Sequence, residues 1–85
     1  MQLTISVQTH YGAIVSEDHT KVIHCPVLPP IGTELLLDGL EVVIKDIIID
    51  IDSQTIHVRC EDNYLDYVNM SEDLKWHKEN KWIRE

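Results

Sequence analysis

Apolar and polar residues alternate from the first positions of the chain. Leu3, Ile5 and Val7 interleave with Gln2, Thr4, Ser6 and Gln8, the period-two pattern of a half-buried strand. His10-Tyr11-Gly12 predicts a turn, Ala13-Ile14-Val15 a short extended stretch, and polar Ser16 to Thr20 a loop tip before a short strand from Lys21 to Cys25. Pro26, Pro29 and Pro30 then fall within five residues. Proline fixes φ and lacks an amide donor, so this segment reads as a stiff connection ending at Gly32.

The clearest unit runs from Leu35 to Ile51. Asp38-Gly39 separates two apolar runs, and a two-residue hairpin turn with both central residues at positive φ favours that dipeptide. Within the second arm Leu40, Val42 and Ile44 share one parity and Ile47, Ile49 and Ile51 the other. A β-bulge at Lys45-Asp46 brings all six to one face. Val43 and Ile48 then point outward, where the C-terminal segment is expected to cover them. Asp52-Ser53-Gln54 turns into a further strand, Thr55 to Glu61, with Ile56, Val58 and Cys60 on one face.

After Asp62 the pattern changes, and Tyr64 to Val68 fits strand or helix equally. From Ser71 a helix is predicted, capped by Ser71, with Glu72 and Asp73 in its first turn and Lys75 and Lys78 later. Asn80 is the expected C-cap, and Trp82 and Ile83 return to the body as an anchor. The chain thus reads as one domain, strand-rich over 1–61 and closed by a helix and a tryptophan anchor over 62–85. Its expected fold class is mainly β, a small antiparallel five-stranded barrel or roll with a C-terminal helix.

Pro29-Pro30-Ile31-Gly32-Thr33-Glu34-Leu35, with Leu37-Asp38-Gly39 after it, resembles a class of short bacterial and phage proteins. These lead through proline-x-x-glycine into a curled hairpin and often close with a C-terminal tryptophan. The resemblance covers the central third of the chain. It implies an SH3-like barrel and transfers no catalytic residue.

Composition narrows the function. The 85 residues are 44% apolar and 26% charged, ordinary for a folded domain, but 15 acidic residues against 7 basic ones give a formal charge of −8. Direct attraction to nucleic acid or anionic lipid is disfavoured. Met1 to His10 has neither a basic nor an apolar leader region, and no apolar run reaches membrane-spanning length, so a cytoplasmic protein is expected. Cys25 and Cys60 are widely spaced and expected to be reduced.

Candidate chemistry is sparse. His24-Cys25 and His57/Cys60 suggest zinc, but within each pair a strand sends the two side chains to opposite faces. Asp50, Asp52, Gln54 and Glu61 fall at positions one, three, five and twelve of a calcium loop, whose required sixth-position glycine is here Thr55. Three glycines leave no phosphate cradle, and no nucleophile stands beside a base. No catalytic residue, metal or cofactor is expected. The remaining signal is aromatic and acidic: Tyr64, Tyr67, Trp76 and Trp82 beside Asp62, Asp66, Glu72 and Asp73. It points to a non-enzymatic module that binds another protein. The alternative expectation is an inhibitor whose carboxylates imitate a phosphate array. Pairing of two copies through an edge strand or the Val43/Ile48 face stays open.

Overall fold

The computed structural model covers Met1–Glu85 and is mainly β, with one short helix near the C-terminal end. Seven strands form one mixed sheet: β1 (Gln2–Tyr11), β2 (Val15–His24), β3 (Glu34–Leu37), β4 (Leu40–Asp50), β5 (Thr55–Cys60), β6 (Asn63–Leu65) and β7 (Ile83–Arg84). Their order is β3-β4-β5-β1-β2-β7, with β6 also on β1. β1 is central. It pairs antiparallel with β2 along its whole length, and its other edge takes β5 at Thr4–Ser6 and β6 at Thr9–Tyr11, both in parallel.

The expected five-stranded antiparallel barrel is therefore corrected to an open, mixed, seven-stranded sheet. β3 and β7 end the order without pairing to each other. The parallel pairings arise because the chain crosses from β4 through β5 and lays the last part of the strand region beside the first.

β1 buries Leu3, Ile5, Val7, Thr9 and Tyr11 on one face, as its alternation dictates. Val42, Ile44, Val58, Cys60 and Trp82 complete the core with the three apolar residues of that strand. The expected loop at Ser16–Thr20 is instead the middle of β2. Its central core-facing positions, opposite Thr9, Val7 and Ile5, are Glu17, His19 and Lys21, so no apolar period marks the middle of the strand between Val15 and Ile23. The proline segment does lie outside the sheet, with Pro29 buried and Leu28 packed on the core.

Asp38 and Gly39 both take positive φ, 54° and 93°, and close the β3–β4 hairpin as the dipeptide predicts. The β4–β5 register shifts between Ile44 and Asp46, leaving Lys45 as the bulged residue. Val42 and Ile44 are buried and Ile47 packs against the core, but Ile49 and Ile51 are exposed. β5 pairs with β1 only over His57–Arg59, so this end of the hairpin projects beyond the core. Ile48 opposes His57 on the outer face and stays uncovered, because the helix packs on the other side.

Asn63–Leu65 is strand and Tyr67–Asn69 a single 3-10 turn, dividing the ambiguous stretch between the two states. Helix α1 spans Met70–Glu79 with Asn69 at its N-cap, two residues before the expected cap Ser71. Its C-terminus is a Schellman motif. Trp82 N–H donates to His77 O at 2.9 Å and Lys81 N–H to Lys78 O at 3.3 Å, with Lys81 at φ 69°. That reversal drops Trp82 into the core, 5% exposed, and starts β7, where Ile83 pairs with Thr20.

Candidate functional site

The exposed aromatic residues collect where β6, the 3-10 turn and the start of α1 follow one another. Parallel pairing sets Tyr64 beside His10, and the two rings stack at 4.9 Å with 17° between their planes. His10 is itself fixed: Nε2 lies 2.8 Å from Asp62 Oδ2 and Nδ1 2.7 Å from Ser16 Oγ. Tyr64 thus rests one face on a held imidazole while remaining 72% exposed. An aromatic ring immobilised in this way loses little entropy when a partner covers it.

The His10 hydrogen bond, with help from Lys45 at 3.5 Å, holds the Asp62 carboxyl below the usual carboxylate range. Asp62 is therefore ionised but engaged. Asp66 continues the chain in extended conformation, and Asn69 N–H closes the 3-10 turn on Asp66 O at 3.0 Å. The turn lifts Tyr67 and Val68 outward, Val68 to 83% exposure. Gly12 anchors the ridge from below. Its N–H donates to Leu65 O at 2.8 Å, and its α-carbon lies against Tyr67, where an added β-carbon would meet Tyr67 Cβ at 3.7 Å. Exposed Ile14 sits in the same turn.

Tyr67, Val68, Met70, Ser71 and Leu74 line a shallow groove of about 440 Å³ along the ridge. Asp66 and Glu72, next in the chain to Tyr67 and Ser71 of that lining, are exposed acids. Of the eight residues singled out in the sequence, Tyr64, Tyr67, Asp66 and Glu72 lie together on this surface, with Asp62 behind the tyrosine stack.

Two others are corrected. Trp82 is core, and Asp73 turns inward, where it accepts from the Tyr11 hydroxyl and stands 3.3 Å from His77 Nδ1. Both follow from helix docking on the sheet, which directs the 73/77 face of α1 toward the core. Trp76 is half-buried against that core and contributes only an edge. Sequence reasoning passed over Val68, Met70 and Leu74, although Tyr67, Met70 and Leu74 recur at helical spacing and mark one stripe.

Metal chemistry finds no support in the geometry: no three His, Cys, Asp or Glu side chains converge as ligands. Cys60 faces the core with its thiol pushed up to about 11 by burial, whereas His57 is on the opposite face. The 50–55 segment is a hairpin turn in which Asp50 Oδ1 accepts from Ser53 N–H at 3.2 Å. No helix is long and apolar enough to cross a membrane. No protein-family profile, curated protein or solved structure matches the chain.

Proposed function

We propose that the protein is a small non-enzymatic binding module that recognises a segment of another protein through the Tyr64–Leu74 ridge. The observation that carries this reading is that Tyr67 and Val68, both more than half exposed, line one groove and exposed Tyr64 precedes them on the same stretch of chain, while both tryptophans pack inward. Rigid aromatic anchors beside an apolar groove are the usual energetic centre of a protein interface. Exposed Asp66 and Glu72, adjacent in the chain to its lining residues, suit a partner segment that carries lysine or arginine next to apolar residues.

The nucleic-acid mimic draws on the −8 charge alone. Two of the four acids on which it rests, Asp62 and Asp73, are committed to His10 and to Tyr11 and His77. That arrangement favours the binding module.

The test is affinity capture from a bacterial lysate by the wild type, by Tyr67→Ala/Val68→Ala and by Asp66→Lys/Glu72→Lys. A specific protein retained by the wild type through high salt and lost by the apolar variant is the expected result. Retention by the apolar variant, with loss on charge reversal and elution at moderate salt, would reverse the choice in favour of the mimic.

A further inference from the structure

A second recess, of about 360 Å³, opens at the other end of α1, between the helix and the sheet. Its lining residues are His19, Leu74, Lys75, Lys78, Trp82 and Arg84. Three of the chain's seven basic residues are among them and none of its 15 acids, an inversion of the charge balance elsewhere. Arg84 is held by Glu17, Nε to Oε2 at 2.8 Å. The lysines are unspent: Lys75 has only exposed Glu79 at 3.9 Å, and Lys78 makes no ion pair.

The inner wall supplies an independent observation. His19 and Trp82 are 2% and 5% exposed, and neither His19 Nδ1 nor Trp82 Nε1 has a hydrogen-bond partner. Leaving a buried polar group unpaired forfeits its hydration with nothing in return, so such groups in folded proteins call for an explanation. An indole N–H can only donate, and what it lacks is an acceptor. Lys21 Nζ, 5.9 Å from the Trp82 ring centroid, is already paired with Asp38 and donates to Asn80 O, so the charge available to the recess is that of Lys75 and Lys78. Leu74, the indole face and the lysine methylenes make the remaining walls apolar.

We propose that this recess binds a small organic anion, a carboxylate or phosphate group carried on a compact apolar body. Lys75 and Lys78 draw in the acid group, the Trp82 N–H donates to it, and Leu74 and the indole cover the body. Acceptance of that hydrogen bond requires a side-chain adjustment, since the nitrogen is closed to solvent.

The experiment is a titration of the ¹⁵N-labelled chain with phenyl phosphate, benzoate, inorganic phosphate and benzyl alcohol, following the Trp82 indole signal, assigned with Trp76→Phe. Saturable shifts with phenyl phosphate or benzoate at a Kd of about 1 mM or tighter are expected. Benzyl alcohol should give none, and Lys75→Ala/Lys78→Ala should weaken binding about tenfold; both lysines are exposed, so the fold persists. No saturable response to either aromatic anion would overturn the proposal, as would equal affinity in the double variant. Inorganic phosphate binding as tightly as phenyl phosphate would remove the apolar half of the assignment and leave an anion hole.

Discussion

The imidazole rings of His19 and His77, which are 58 positions apart in the sequence, stack in the core at 4.1 Å with 21° between their planes. His19 comes from the sheet and His77 from the helix, so this stack is where the two layers meet. Asp73, Glu17 and Arg84 face it from α1, β2 and β7. Burial, reinforced by the neighbouring His77, lowers the His19 pKa below its ordinary value of 6.5.

A depressed base stabilises the fold while it is neutral. The unfolded chain binds the proton first, so stability is complete above pH 6.5 and falls as pH drops through that value toward the folded pKa. Glu17, Asp50 and Asp62, whose pKa values are lowered by Arg84, Ser53 and His10, surrender their share only below their ordinary values of 4.5 and 3.8. Thermal melts should therefore show two separate losses on acidification. His19→Phe, which keeps an aromatic ring against His77, should abolish the first and leave the second; an unchanged profile would remove His19 as the cause.

Lys81 occupies the left-handed C′ position of the Schellman motif, a conformation that costs an ordinary residue about 1 kcal/mol or more. Lys81→Gly should raise stability by about 0.5–1 kcal/mol in urea denaturation. By contrast Trp82→Ala, one residue on, should cost about 3–5 kcal/mol, enough to unfold a domain of this size.

Lys45 is the extra residue of the bulge, since Ile44 and Asp46 already pair with the adjacent Cys60 and Arg59. Deleting it leaves Ile47 opposite Val58 on the core side and removes only the local bend, so cooperative unfolding should persist. Inserting one residue between Asp46 and Ile47 instead turns Ile47 outward and Ile48 inward and should abolish it, whereas Lys45→Ala should stay within about 1 kcal/mol of the wild type. Loss of the cooperative melt on deletion would show that the bend itself is required.

The two thiols should differ sharply. Cys60 is buried with its pKa raised to about 11, while Cys25 is partly exposed. Under native conditions a thiol reagent should modify Cys25 alone, and Cys60 only on unfolding. Equal rates would mean that the β5 core opens readily.

The local devices of this fold were legible because each is written in adjacent residues. Asp38-Gly39 announces its turn, the change of parity after Ile44 announces the bulge, and Asn80 ends the helix. The ends of β2 were legible at Val15 and Lys21–Cys25, but its middle was not, because the inward side chains there are Glu17, His19 and Lys21, and polar residues on both faces erase the period that reveals a strand. Strand order escaped as well. Nothing near Leu3–Val7 indicates that their neighbour is Val58 and that it runs in parallel. At the Tyr64–Leu74 ridge, Tyr64 and Tyr67 stood out as aromatics among acids, but the inward turn of Asp73 and Trp82 depends on which helix face docks, and so on His19.

β1 is the first strand of the chain and the middle of the sheet, and its second edge is filled only by residues 57–65. Hairpins such as β1–β2 and β3–β4 can close early, yet the parallel seam must wait until some fifty intervening residues are available. Folding is thus dominated by one distant encounter rather than by stepwise growth, a topology associated with slower folding than local pairing allows. During synthesis the apolar face of β1 stays uncovered until nearly the whole chain has emerged, the interval in which a chaperone would find it.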